Sequence, residues 1–110
     1  MSYIPQQGDI IWLDFDPSAG SEIMKRRPAL VLSRKIFNEH TGFAMVAPIT
    51  STEKKNKFTV PTPEDSKTDG YVLTYQVRTL DFKTRDAEKI ESVCSEYIQK
   101  VNILVKLIVS

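Results

Sequence analysis

Three apolar segments of strand length, separated by polar connections, constrain the fold of this chain more than any other feature. Residues 9–16 alternate, with Ile11, Leu13 and Phe15 on one face and Ile10, Trp12 and Asp14 on the other, the period-two pattern of a strand. Residues 28–33 and 43–49 are continuous apolar runs that read as well-buried strands, with one helical turn at residues 34–38 between them. Further on, Phe58 and Val60 alternate with Lys57 and Thr59 until Pro61 stops the pairing, which places that piece near a sheet edge. Asp69-Gly70 marks a turn, residues 71–80 read as one or two strands, and residues 89–93 alternate again. Cys94, Ile98, Val101, Val105 and Ile108 then recur at helical spacing, the stripe of an amphipathic helix. Leu104 and Leu107 lie beside that stripe; a dimer contact and a deep groove in the sheet each account for them. The pattern predicts a mainly β fold with some α, a small, strongly bent antiparallel sheet or barrel closed off by a C-terminal helix. No internal repeat or low-complexity linker divides the chain, so residues 1–110 are read as a single domain.

Composition narrows the function classes. With 41% hydrophobic and 26% charged residues the chain reads as globular, and no apolar run approaches the roughly 20 residues that span a bilayer. The start lacks the basic and apolar segments of a secretion signal, so a cytoplasmic protein is expected. A lone cysteine, Cys94, gives neither an intramolecular disulfide nor a zinc cluster, and reads as a small hydrophobe at the entry of the last helix. The only histidine, His40, sits in a turn-like stretch, which denies a single subunit a two-histidine ribonuclease mechanism. Fifteen basic residues against fourteen acidic ones leave a net charge of +1, so any affinity for nucleic acid must be local. Basic residues do gather, at Lys25-Arg26-Arg27, at Arg34-Lys35 and at Lys54, Lys55 and Lys57.

Between the first two strands runs a polar connection that neither strand requires, from Asp16-Pro17 through Gly20 and Glu22 to the Arg26-Arg27-Pro28 step. Such a loop is either a solvated connection or a site mounted on a rigid scaffold, and the residue pattern alone supports both. The spaced residues Gly8, Asp9, Ile10, Trp12, Phe15, Pro17, Gly20, Glu22, Arg27, Pro28, Ala29, Val31, Leu32 and Ser33 resemble the amino-terminal signature of the MazF/PemK/Kid family of toxin ribonucleases. The likeness continues through Phe37-Asn38, Thr41-Gly42, the run from Ala47 and Pro48 to Ser51, Gly70 and the Gln76-Val77-Arg78-Thr79 stretch, so it covers nearly the whole chain.

This resemblance implies an SH3-like barrel with a terminal helix. It also implies the toxin of a toxin–antitoxin system: a metal-independent, sequence-selective endoribonuclease that cuts single-stranded RNA such as mRNA. Cleavage would proceed by attack of the ribose 2′-hydroxyl, leaving a 2′,3′-cyclic phosphate and a 5′-hydroxyl, with no cofactor. A homodimer and a cognate antitoxin of MazE type, with a flexible acidic tail, are the implied partners. Arg27 matches the active-site arginine, whose planar fork suits the non-bridging oxygens of a phosphate and whose high pKa makes it a stabiliser of charge ahead of a proton carrier. Thr50 matches the active-site threonine, a hydroxyl able to donate to phosphate and hold the reacting group in line.

Glu22 stands where the family has an acidic residue, either to accept the 2′-hydroxyl proton or, the reading preferred here, to hold Arg26 or Arg27 in place. Lys25, Arg26, Ser51, Lys54, Lys55, Gln76 and Arg78 are the expected substrate contacts. Two departures matter, because some relatives carry a histidine where this chain has Ser21 and an acidic residue where it has Tyr75. The general acid and base are therefore not transferable, and Tyr75 reads first as a buried strand tyrosine and second as a platform for a splayed base. A poison of the same barrel type that binds DNA gyrase and cuts nothing is the rival class, and a small docking module a third.

Overall fold

Strands β1 (Asp9–Asp14), β2 (Arg26–Val31) and β3 (Phe43–Thr50) lie at the centre of one antiparallel sheet and bury both of its faces. In this computed structural model, which describes residues 3–53 and 56–110, Ile10, Leu30, Leu32, Ala47 and Ile49 join one core cluster. Ile11, Leu13, Phe15, Ala29, Val31, Ala44 and Val46 join a second with Leu80 and Phe82. Neighbours in sequence thus belong to different cores, which is why β2 and β3 are apolar without alternation. A fully buried Ile or Leu contributes about 1.5–3 kcal/mol, whereas an exposed ion pair adds about 0–1 kcal/mol, so these two clusters dominate stability.

The strand order is β4 (Thr59–Pro61), β5 (Tyr71–Leu73), β3, β2, β1, β7 (Glu88–Ser92), with β6 (Arg78–Asp81) pairing β3 beside β5. The sheet is bent but not closed, so the expected antiparallel β architecture holds while "barrel" describes it only loosely. Strand β3 changes partner along its length: Phe43 to Val46 pair with β6, and Ile49 and Thr50 with β5. A 3-10 turn (Thr74–Gln76) carries the chain from β5 to β6, so residues 71–80 form two strands. Helix α2 (Ser95–Val109) seats Ile98 and Val101 in the first core. Strand β4 ends the sheet at Pro61, as its sequence anticipates, and the Tyr97 hydroxyl donates to the Pro61 carbonyl at 2.7 Å.

Several boundaries differ from the sequence pattern. Strand β1 stops at Asp14, whose carboxylate accepts the Asp16 N–H at 3.2 Å and turns the chain early. Strand β2 begins at Arg26, with Pro28 inside it opposite Trp12. In place of one turn there is a helix, α1 (Lys35–Thr41), which takes in His40, ended by Gly42 at φ 76°. Cys94 is exposed, not a packed hydrophobe.

The reason for α1 is Asn38, fully buried at its centre. Its Nδ2 donates to the carbonyls of Pro5 at 2.8 Å and Ser33 at 3.3 Å, its Oδ1 accepts from the Ser33 hydroxyl, and Ser33 Oγ accepts the Met45 N–H at 2.8 Å. A second polar centre, Asp9, binds the Tyr3 hydroxyl, the Gln6 N–H and Ser92 Oγ, with Lys89 Nζ at 3.6 Å. Burial, and then this carboxylate, push the Tyr3 hydroxyl well above its ordinary pKa.

Asn38→Ala strands several buried partners at once. Each unpaired group costs about 1–3 kcal/mol, and urea unfolding is expected to show a lowered midpoint with an unchanged slope.

Candidate active site

The register of β2 against β3 places the two residues singled out from the sequence. Ala29 faces Pro48, Leu30 faces Ala47 and Val31 faces Val46. Carried two residues further, the same register sets Arg27 opposite Thr50, where the strands no longer pair. A solvent-open cleft of about 220 Å³ lies there, lined by Trp12, Arg26, Arg27, Pro28, Ile49, Thr50, Ser51 and Asp69. That is smaller than the ~300–1,000 Å³ of pockets that enclose whole ligands, and suits one linkage of a chain more than an entire nucleotide.

Both central side chains are oriented by the backbone. Arg27 Nε donates to the carbonyl of Met24 at 3.0 Å, which leaves its two terminal nitrogens for a ligand, and among the described residues no carboxylate pairs with it. Thr50, buried, uses its Oγ1 lone pair to accept the Thr52 N–H at 3.2 Å, so its hydroxyl proton remains a donor. Gly70 lies against the same strand end. A Cβ there would stand 2.6 Å from the Thr50 carbonyl oxygen and 3.0 Å from Ile49 Cγ2, so only glycine permits this approach.

The connection between β1 and β2 is bonded along its length. Phe15 N–H donates to the Lys25 carbonyl at 2.9 Å, and Lys25, at φ 67°, donates its own N–H to the Asp16 carboxylate at 2.9 Å. At the tip, Glu22 Oε1 accepts the Ala19 N–H at 2.9 Å while Glu22 N–H donates to the Ala19 carbonyl at 3.2 Å. From beneath, Gln76 Oε1 accepts the Ile23 N–H at 2.9 Å, and Arg78 Nη1 donates to the Phe15 carbonyl and Ser18 Oγ, both at 3.0 Å.

These contacts revise three sequence expectations. Glu22 forms no ion pair with Arg26 or Arg27; its carboxylate shapes its own loop. Arg26 is held instead by Glu88 at 3.7 Å and Asp86 at 4.0 Å, and donates to the Asp86 carbonyl at 2.8 Å. Tyr75 is not buried but 42% exposed on the 3-10 turn. With Ser21, Glu22, Gln76, Val77 and Arg78 it lines a second cleft of about 330 Å³, so Glu22, Gln76 and Arg78 gather there, apart from the Arg27–Thr50 cleft. Lys25 and Ser51 are exposed; Lys54 and Lys55 lie outside the described residues.

Two cleft residues had no functional reading in the sequence. Trp12 appeared there as a position of an alternating strand and of the family signature, with no role given, and it is 40% exposed beside Arg26 and Arg27. Asp69 appeared as half of a turn, and only the pairing of the next strand with the end of β3 brings it to the cleft. The segment bearing it is pinned by Glu91, whose carboxylate accepts the Lys67 N–H at 3.0 Å, the Thr68 N–H at 2.8 Å and the Thr68 hydroxyl at 2.7 Å. Burial raises the pKa of Glu91, but these hydrogen bonds outweigh it and hold the carboxyl below its ordinary value.

Comparison with known proteins bears on the family and the fold. The profile of the family described as "PemK-like, MazF-like toxin of type II toxin-antitoxin system" matches residues 6–109. The chain is 38% identical over 107 residues to the endoribonuclease toxin MazF of Escherichia coli K12, covering 94% of this chain and 96% of the relative. It is 35% identical over 104 residues to endoribonuclease EndoA of Bacillus subtilis, covering 90% and 89%. Crystal MazF from Deinococcus radiodurans superposes with a TM-score of 0.92 at 36% identity over 97% of each chain. A MazE–MazF crystal structure from the same organism superposes at 0.85, with 31% identity over 99% of this chain and 98% of the other.

Gly70→Ala is expected to push the end of β3 and to lower the unfolding free energy by about 1–3 kcal/mol, read from urea melts. Because the Glu91 pKa is lower folded than unfolded, its stabilisation is present above the unfolded-state value and lost as pH falls through the folded one. Urea midpoints measured against pH should show that acid-side decline in the parent and a shallower one in Glu91→Gln.

Proposed function

Because the chain belongs to the PemK-like, MazF-like toxin family of type II toxin–antitoxin systems, we propose that it is the toxin of such a pair, an endoribonuclease that cuts single-stranded RNA such as mRNA without a metal ion. The observation that carries this reading is the single cleft shared by Arg27 and Thr50. The 2′-hydroxyl attacks the adjacent phosphorus, the P–O5′ bond breaks, and a 2′,3′-cyclic phosphate and a 5′-hydroxyl result. Arg27 offers its terminal nitrogens to the non-bridging oxygens, whose negative charge grows towards the transition state. Thr50 donates its hydroxyl proton to the same phosphate and fixes the linkage in line.

Substrate is held by charge and read by exposed base edges. Arg26 and Ser51 line the cleft, Lys25 precedes Arg26 in the sequence and Lys54 and Lys55 follow Ser51 by three and four residues, and the second cleft offers Gln76, Arg78 and the face of Tyr75 to a splayed base. Glu22 acts by shaping the loop that ends in Lys25 to Arg27. The protein is read as acting in the cytoplasm, where mRNA is found; no helix of the described residues is long and apolar enough to cross a membrane.

Two partners follow from the same reading. An antitoxin partner is supported by the MazE–MazF structures that this chain resembles, and an acidic, flexible tail that folds as it binds would suit the arginines of the cleft. A second copy would cover Ile103 and Leu107, which are 60% and 61% exposed on the outer side of α2. Poisoning of DNA gyrase by contact alone is the rival, and it has no use for an arginine and a threonine paired across a cleft.

Incubation with a long single-stranded RNA in excess EDTA should give discrete cuts with cyclic-phosphate ends. Arg27→Ala and Thr50→Ala should each lose about 10²- to 10³-fold in rate with the fold intact, and Arg27→Lys should not restore it. Intact RNA together with gyrase inhibition would favour the contact poison. Leu107→Asp is expected to shift the sedimentation profile towards monomer.

A further inference from the structure

The cleft holds a carboxylate that no reading of the sequence assigned. Among the described residues lining it, Asp69 is the only acid. The other candidates are placed elsewhere. Glu22 lines the second cleft with one oxygen on the Ala19 N–H, and Glu88 faces Arg26. With Ser21 and Tyr75 in place of a histidine and an acid, proton removal from the ribose has no other carboxylate in the Arg27–Thr50 cleft.

Asp69 is also held more firmly than a turn residue need be. Thr68, before it, is buried and tied by its N–H and hydroxyl to Glu91, and its carbonyl accepts from Ser66 Oγ at 2.8 Å. Gly70, after it, donates its N–H to Thr62 Oγ1 at 3.1 Å, accepts the Thr62 N–H at 2.9 Å through its carbonyl, and lies so near the Thr50 carbonyl that a Cβ would not fit. Asp69 itself is exposed between these two buried neighbours, so its side chain is turned outward at a fixed point on the cleft wall. Arg27, Thr50 and Asp69 therefore reach the cleft from three different segments, and each brings a different chemical capacity.

We propose that Asp69 is the proton acceptor of the cleft, taking the proton of the attacking 2′-hydroxyl of single-stranded RNA. The assignment rests on the nuclease reading above and supplies the role which that reading leaves unfilled. As the O2′–P bond forms, the proton passes to the Asp69 carboxylate. As the P–O5′ bond breaks, the leaving oxygen takes a proton from water at the open mouth, and the resulting hydroxide recovers the proton from Asp69. No metal, oxidant or reductant enters.

The test compares the parent protein with Asp69→Asn, Asp69→Ala and Arg27→Ala on one single-stranded RNA oligonucleotide in EDTA, following kcat/KM against pH. Asp69→Asn is expected to lose about 10²-fold or more and to lose the acid limb of the profile. Arg27→Ala should fall in rate while keeping that limb, and formate should restore part of the Asp69→Ala activity and none of the Arg27→Ala activity. Circular dichroism and urea midpoints of the Asp69 variants should match the parent, since the side chain is exposed. Parental cleavage with an unchanged limb in Asp69→Asn would overturn the assignment and leave the nuclease reading standing. A parent that cuts no RNA would overturn both.

Discussion

The register that β2 and β3 keep from Val31 and Val46 to Ala29 and Pro48 outlasts their hydrogen bonds, and the site depends on that persistence. Both strands remain extended beyond the last pair because other partners hold them: β1 pairs with β2 as far as Arg26, and β5 takes over β3 at Ile49 and Thr50. The two chains therefore part without losing direction. A gap opens in a sheet whose walls are still strands, and side chains that would have been cross-strand neighbours face each other across water. Precision of this kind comes from secondary structure, which loops alone seldom supply.

The change of partner along β3 has a second effect. To move from β5 to β6 the chain makes the 3-10 turn at Thr74–Gln76, and that turn presents Gln76 and Arg78 beneath the β1–β2 connection. Gln76 takes a backbone N–H of that connection, and Arg78 occupies a carbonyl and a hydroxyl. A segment with little apolar content is thereby ordered by polar contacts to the sheet, which fixes the direction from which Arg27 enters. The Met24 carbonyl completes this by holding Arg27 Nε.

The sequence was legible wherever one residue's surroundings are set by its near neighbours. Alternation in residues 9–16, the apolar runs of β2 and β3, the edge position of Pro61 and the helical stripe of α2 all have local causes. Arg27 and Thr50 were singled out through a signature spread over the chain, and the fold brings them to one cleft. Sheet pairing left no local trace: Asp69 reads as a turn because its association with Thr50, 19 residues away in sequence, arises only when β5 adds to β3. Tyr75 was misplaced because residues 71–80 read as one or two strands, and nothing in their pattern marks the 3-10 turn that exposes it. Glu22 illustrates a different limit. Its charge suggested an arginine partner, but a backbone N–H three residues away was nearer than any guanidinium.

The strand order ends in two rims, β4 and β7, each a potential template for another strand. On one rim Pro61 has no N–H to offer, and its carbonyl is already taken by the Tyr97 hydroxyl. On the other, β7 carries Glu88, Lys89 and Glu91 within five residues. Charges and a proline at the margins discourage edge-to-edge polymerisation, so the protein can leave its sheet open for a cleft and still resist growing into fibres at high local concentration.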